Sequence, residues 1–520
     1  MLDLSKISTL LILAAFPAFI GLIISQTGKK KNLSLGLLLL SAFAVRFVMI
    51  SLDPFLHDWD EKFHAIVAKN MMEHPFKPML RVHAIIDYDY RAWCCNHIWL
   101  HKQPLFLWQM ALSMKAFGVS ILAMRLPSVI MGTVSVFFIY QIADKWFKDS
   151  KVAFLAGLLY CFLNYQLELT SGKNLTAQND IAFAFYLLGS LWAFTRYLHS
   201  TKTLKWAIII GIFVAGAVLN KWLTGILVYG AWGLYILLNS KKRKQTSSYF
   251  ELALSAFISV ALFLPWQIYT RIKFPLESKW EIEYNRKHIF EAVEGHGGDI
   301  FFHLDFVQSN FGNALIIFML IGLLRSFISK KYDRIFSVSI FSAVLFFFGF
   351  FSMIVATKMS SFTLPVWSIL AIYSALGLTF SWNLIINQLK LKPNIWTKSI
   401  FILVVSILVF FIFKPKSILD YRSADNEDRN KMIANTQIYK HLAPKYYKNR
   451  VVLNLRAFND IDLMFYKNAN AFNFWPGENV IDSLQSLGYK FSAFSDHQRQ
   501  ILPKFIKRNK DILIIPDTQK

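Results

Sequence analysis

Apolar residues recur along this chain in long unbroken runs, and the polar residues gather between them. Twelve such runs stand at roughly 7–25, 33–52, 126–146, 152–167, 181–198, 205–220, 222–239, 250–270, 312–329, 335–356, 363–381 and 398–414. A helix crossing a bilayer core needs about 17–25 apolar residues, and the runs have that length, 152–167 being the shortest. The pattern predicts an all-α polytopic membrane protein with about 12 transmembrane helices. Composition agrees: 55% of residues are hydrophobic and 17% charged, and a water-soluble chain of 520 residues needs far more polar surface. The first run has no small-residue cleavage site and Lys29–Lys31 follow it, so it reads as a retained helix rather than a signal peptide.

Charge adds the topology. The net charge is +24, but the lysines and arginines cluster at Lys29–Lys31, Lys145 to Lys151, Lys202 and Lys205, Lys241–Lys244, Lys330 to Arg334, and Lys390 to Lys398. These fall in every second connection, as cytoplasmic loops do, and so read as topology and attraction to anionic lipid, with no nucleic-acid partner implied. Both termini then lie outside. Two outer connections are long, 53–125 and 271–311, and they hold nine of the twelve histidines. Within the first, Pro104 to Phe117 is amphipathic and is expected to lie along the interface. Beyond Phe413 the chain turns polar, with strand-like runs Arg450–Leu455 and Asp511–Ile515 and a helical stretch near Val480–Leu487. The expected division is therefore 1–414, the membrane region with its outer loops, and 415–520, a small soluble α/β domain. Three cysteines, Cys94, Cys95 and Cys161, suggest neither a disulfide framework nor a zinc site.

Chemistry-bearing residues concentrate in the outer segments. Asp58-Trp59-Asp60-Glu61 follows the second run; a carboxylate poorly solvated beside a membrane is a candidate base, though acidic residues also favour any helix start. Lys102, Lys173, Lys221 and Lys358 lie in outer segments against the charge bias, Arg46 lies within an apolar run and Arg125 begins one. Such cations would suit an anionic group such as phosphate, or would simply snorkel to the headgroups. Glu294-Gly295-His296-Gly297-Gly298 is either a close-approach ligand loop with His296 or a plain turn. No histidine pair has the helical spacing of a zinc motif with its glutamate.

At these residues the chain resembles the bacterial branch of the protein O-mannosyltransferase family, a GT-C-type group that includes the lipid A aminoarabinose transferases. Asp60-Glu61 looks like the family's Asp-Glu pair in the first outer loop, and His101-Lys102-Gln103-Pro104-Leu105 with Trp108 resembles its Lys-Pro-Pro segment. Phe117-Gly118-Val119 followed by Arg125-Leu126-Pro127-Ser128 is similar to a Phe-Gly…Arg-Leu-Pro-Ser stretch. Asn179-Asp180 matches a second outer Asp, and Asn220-Lys221 sits where Thr-Lys-Gly is common. Tyr284-Asn285 through Gly298, and Lys358 with Leu364-Pro365, resemble later outer signatures. Phe63 stands where the family commonly has Arg.

The resemblance implies a GT-C-type fold and an inverting glycosyltransferase of a bacterial inner membrane, with active face and C-terminal domain extracytoplasmic. Its partners would be the bilayer, a polyprenyl-phosphate sugar donor, and a lipid, glycan or protein acceptor. Asp60 and Glu61 would be catalytic; Lys102, Lys358, Arg125 and Lys221 would bind donor phosphate; Asp58, Asp180, His296 and His64 are further site candidates. No cofactor is firmly implied, with a divalent metal held by Asp58-Trp59-Asp60 the alternative. A multi-pass transporter or lipid-linked glycan flippase is the rival reading, although ionisable groups would then gather near mid-membrane and not at the outer ends. The topology predicts that, in a cysteine-free background, an impermeant thiol reagent labels a cysteine at position 520 in intact cells and spares one at 241. Labelling at both positions, or at 241 alone, would defeat the orientation.

Overall fold

The computed structural model describes residues 4–174, 176–392, 394–455, 458–495 and 502–516; Lys520 lies outside them. The chain divides into two compact units, one of Met1–Leu52 with Leu126–Leu419, the other of Asp53–Arg125 with Asp420–Lys520. The second is thus built from two stretches far apart in sequence.

Every one of the twelve apolar runs falls on helix. Ten helices among the described residues are long and apolar enough to cross a membrane. The 152–167 run is an eleventh only as a broken span, Ser150–Cys161 and Asn164–Thr170 meeting at 56°, and the 222–239 run supplies a shorter helix, Thr224–Leu238. The break has a sequence cause: beyond Leu163 the chain turns polar with Asn164, Gln166 and Glu168.

In the first unit Leu4–Ser25 packs on Lys31–Ser51, Ala177–Leu198 on Thr203–Lys221, and Phe302–Ile328 on Trp367–Gln388. Small residues set the last contact. A Cβ on Gly322 would strike the Tyr373 carbonyl, and one on Gly377 the Phe318 carbonyl, so the two backbones touch. Serine hydroxyls bridge helices as well: Ser41 Oγ donates to the Ala14 carbonyl at 2.7 Å and Ser374 Oγ to that of Leu315 at 3.2 Å. Large apolar side chains such as Phe257, Ile272, Ile317, Ile328 and Phe411 stay exposed, as lipid-facing positions do. Arg46 is fully buried against Gly132, its Nη2 donating to Gln166 Oε1 at 3.0 Å and its Nη1 to the Ala42 carbonyl at 3.1 Å. It serves helix packing.

The second unit carries a four-stranded parallel sheet: β1 (Val451–Leu453), β2 (Asn470–Ala471), β3 (Phe491–Phe494) and β4 (Leu513–Ile515), in the order β2-β1-β3-β4. Parallel neighbours require crossovers, supplied by helices Asn459–Lys467, Glu478–Ser486 and Lys504–Arg508. The three expected elements of this region are all present. Val451, Leu453, Phe491, Ile481 and Ile506 form the core, and Ile85 and Ile86 of the first long connection pack onto it.

That connection is fastened by buried charge. Arg125 and Glu61 form a two-pronged pair, Nε to Oε1 and Nη2 to Oε2 both at 2.7 Å, with neither side chain exposed. Arg125 also donates to the carbonyls of Asp53 and Phe55, each at 2.8 Å, and the His57 amide donates to Glu61 Oε2 at 2.8 Å. Asp53, equally buried, accepts from Arg422 Nη2 at 2.7 Å and Arg429 Nε at 3.2 Å. Burial by itself would raise both carboxyls. The Arg422 charge, with His57 and Arg125, outweighs it at Asp53, and Arg125 outweighs it at Glu61, so both lie below the usual carboxylate range. A depressed carboxyl adds stability that is complete above its unfolded value and lost as pH falls through the folded one. Apparent stability should therefore hold above about pH 5 and decline as pH drops below about 4. Glu61→Gln leaves the Arg125 charge buried without its counter-charge, an expected loss of about 3–5 kcal/mol. Thermal denaturation in detergent should show a lower midpoint and a flatter acid limb; the wild-type midpoint at every pH would show that the pair supports nothing.

Candidate active site

Helix Asp60–Met71 starts at Trp59, whose φ of 66° is a left-handed conformation that costs a bulky residue free energy. Aromatic packing offsets it: Trp59 lies against Phe458 at 4.9 Å between ring centroids and Trp93 at 6.3 Å. The turn sends successive carboxylates in different directions. Glu61 goes inward to Arg125. Asp60 meets Lys102, Nζ to Oδ1 3.4 Å, with 13% and 17% of the two side chains open to solvent. Asp58, about half exposed, pairs at 2.8 Å with Lys62.

Phe63 now has a reason to be aromatic. It packs on Trp93 at 4.9 Å and Phe458 at 5.5 Å, while Trp93 stacks on His101 at 5.3 Å, next in sequence to Lys102. The result is an aromatic wall in the same segment as the Asp60–Lys102 pair. His64 is fully buried between Phe106 (4.8 Å) and Trp99 (6.0 Å) and belongs to the core of this unit.

The first unit holds the other candidates. Asp180 is buried in the first turn of helix Ala177–Leu198 and binds Lys221 Nζ and the Thr176 hydroxyl. Thr176 Oγ1 lies 3.2 Å from Ser361 Oγ, and Lys221 lies over the Phe362 ring at 4.9 Å. Lys358 behaves differently. Its ammonium donates to the carbonyls of Phe351 (3.0 Å), Ser352 (2.8 Å) and Val355 (2.5 Å), capping the helical segment that ends at Ile354. All three of its N–H donors have acceptors. Its main-chain N–H bonds the His296 carbonyl at 2.7 Å, and the Thr357 hydroxyl donates to the Glu291 carbonyl at 2.8 Å, so this segment braces the second long connection. The Glu294–Gly298 stretch is a turn with φ of 56° at Glu294 and 76° at Gly295; the His296 ring is half-buried.

Several partners lie far off in sequence. Lys62 Nζ also reaches Asp462 Oδ2 at 2.7 Å and Asn459 Oδ1 at 2.9 Å, and Arg81 pairs with Asp460 at 2.5 Å. No motif marks them, because each pair joins residues nearly 400 positions apart. Among the described residues no three His, Cys, Asp or Glu side chains gather as a metal site would need. Asp58 and Asp60 face different lysines.

Comparison with known proteins fits this architecture. The sequence pattern of the dolichyl-phosphate-mannose-protein mannosyltransferase family matches residues 101–269. That stretch holds Lys102, Arg125, Asp180 and Lys221 and omits Asp60, Glu61, His296 and Lys358. The undecaprenyl phosphate-alpha-4-amino-4-deoxy-L-arabinose arabinosyl transferase of Pseudomonas aeruginosa is 27% identical over 169 residues, 31% of this chain and 29% of that protein. Its counterpart in Pseudomonas savastanoi is 24% identical over 208 residues, 38% of this chain and 37% of that one. The chain thus matches about a third of the length of these curated relatives. In fold the likeness extends over most of the chain: ArnT from Cupriavidus metallidurans bound to undecaprenyl phosphate superposes with a TM-score of 0.62 at 16% identity, covering 86% of this chain and 87% of that one. The Archaeoglobus fulgidus oligosaccharyltransferase follows at 0.54 and 14%, covering 83% and 63%. The chain has the GT-C glycosyltransferase fold, and its resemblance to the mannosyltransferase and aminoarabinose transferase group holds in sequence as well as in fold.

Proposed function

We propose that this chain is an inverting glycosyltransferase that moves a sugar, a hexose or an aminopentose, from a polyprenyl-phosphate carrier to a protein, lipid A or other envelope glycan. The observation that carries the reading is the Asp60–Lys102 pair, a carboxylate and an ammonium 3.4 Å apart and both partly open. Its support is the ArnT-like fold and the Trp59 ring, about half exposed beside Asp60, whose open surface suits the apolar side of a sugar ring. Basic clusters in alternate connections support a reaction on the extracytoplasmic side of a bacterial inner membrane.

The acceptor oxygen attacks the anomeric carbon as the bond from that carbon to the phosphate oxygen breaks. The hydroxyl proton passes to the Asp60 carboxylate, and polyprenyl phosphate leaves with its charge met by Lys102. Inversion sets nucleophile and leaving group on opposite faces of the sugar, so the pair is a resting arrangement. Lys102, on its flexible stem, turns to the donor phosphate, and that turn takes the ammonium away from the Asp60 carboxylate as it accepts a proton. Lys221, held by Asp180, is the second phosphate candidate. Glu61 with Arg125, and Lys358 on its carbonyls, act as framework.

Purified protein in detergent, given lipid A together with total envelope glycan and protein as acceptors, should consume radiolabelled donor from a panel of hexosyl and aminopentosyl polyprenyl phosphates; a flippase or transporter would leave the donor intact. Asp60→Asn should lower turnover about a hundred- to ten-thousand-fold while donor still binds. Lys102→Ala should weaken donor use sharply, and Lys102→Arg should restore part of it. Excess EDTA should change nothing; activity lost to chelation and regained with a divalent ion would replace the base by a metal held at Asp58 and Asp60. Near-normal turnover of Asp60→Asn ends the base assignment, and an unconsumed panel ends the transferase reading.

A further inference from the structure

A cavity of about 240 Å³ opens in the first unit where Gln26, the helix Ser150–Cys161, the end of Trp367–Gln388 and the start of Ile395–Phe413 meet. It lies at the far end of the helical segment Leu364–Gln388 from Ser361, the residue beside Thr176 and Asp180. The lining residues of that segment, Thr379 to Ile386, come 15 to 22 residues after Leu364, about 22–33 Å at a rise of about 1.5 Å per residue, so the cavity is separate from the Asp180–Lys221 cluster.

Its lining sorts by chemistry. Lys151 and Lys398 bring two ammonium groups, Gln26 and Asn383 bring amides, and Trp382 and Phe401 form an aromatic side, 5.3 Å between centroids. The one acid in the lining, Asp149, caps the helix of Lys151: its Oδ1 accepts from the amides of Lys151 (2.9 Å) and Val152 (3.4 Å), and its charge leaves the two lysines a net excess of one positive charge. Asn394 and Thr397 cap the other helix in the same way. With those amides occupied, the lysine ammonium groups are what remains for an anion. Three basic clusters, Lys29–Lys31, Lys145 to Lys151 and Lys390 to Lys398, flank the cavity in sequence and add to the positive potential. Both helices that meet here, Leu364–Gln388 by its end and Ile395–Tyr421 by its start, are long and apolar enough to cross a membrane, so the cavity lies at the level of lipid headgroups. A polar pocket of net positive charge at the ends of two membrane-length helices matches an amphiphile whose head is an anion.

We propose that this cavity binds the phosphate headgroup of an anionic membrane lipid, with Lys151 and Lys398 as its charge ligands. The site is independent of the transferase reading, since none of its residues takes part in that chemistry.

The test uses the full chain in detergent, titrated with dioleoyl phosphatidic acid or dioleoyl phosphatidylcholine and followed by native mass spectrometry of retained lipid. A lysine near an anionic headgroup changes affinity about fivefold. Lys151→Gln or Lys398→Gln should each weaken phosphatidic acid by about that factor and the double variant by about thirtyfold, with phosphatidylcholine unaffected. The double arginine variant should retain the lipid, which separates lost charge from lost fold. Wild-type retention by the glutamine double variant, or an equal loss in a Lys241→Gln/Lys242→Gln control, would overturn the proposal. Displacement of the lipid by micromolar inorganic phosphate would assign the cavity to free phosphate and overturn the lipid as its source.

Discussion

The guanidinium of Arg125 keeps its charge with no surface open to solvent, and much of the second unit follows from that. A buried cation needs a counter-charge and acceptors for its N–H groups; Glu61 supplies the charge, and it and the carbonyls of Asp53 and Phe55 accept four of the hydrogen bonds. Three points of the first long connection are fixed at once. Because Glu61 is held inward in the first turn of helix Asp60–Met71, the neighbouring carboxylate is rotated by about 100° and directed elsewhere. That direction is where Lys102 is met. A pair with no exposed surface therefore orients the one next to it, which is open to ligand. Sequence gave Asp60 and Glu61 one shared role; burial separates them.

The membrane region was the most legible part because lipid imposes a simple rule on sequence. A crossing helix must be apolar over its whole length, and the rule leaves a run that hydropathy alone detects. All twelve runs are helical for that reason, and the deviations fall where the rule weakens, at polar Asn164–Thr170 and at the short Thr224–Leu238. The C-terminal elements were legible from alternation and amphipathic spacing. Which stretches of chain make one unit was not. Ile85 and Ile86 look like loop residues in sequence, and only their place on the β-sheet core explains them. Lys62, Arg81 and Arg125 were equally opaque as to partner, since a lysine or arginine carries no mark of the acid it will meet.

Candidate cations separate by how fully their donors are used. Lysine has three N–H donors and no other polar function. At Lys358 all three go to carbonyls at the end of a helix, where the macrodipole also favours a cation. A phosphate there would have to displace three good bonds and leave those carbonyls bare. Lys102 has a carboxylate at the long distance of 3.4 Å and retains access to solvent. An anionic donor can exchange with that carboxylate at small cost, because one charge replaces another beside the same ammonium. Lys221 is intermediate: Asp180 holds it, but Asp180 is itself shared with the Thr176 hydroxyl. Position along the sequence put these lysines in one class. Their acceptors separate them, with Lys102 the one most readily exchanged.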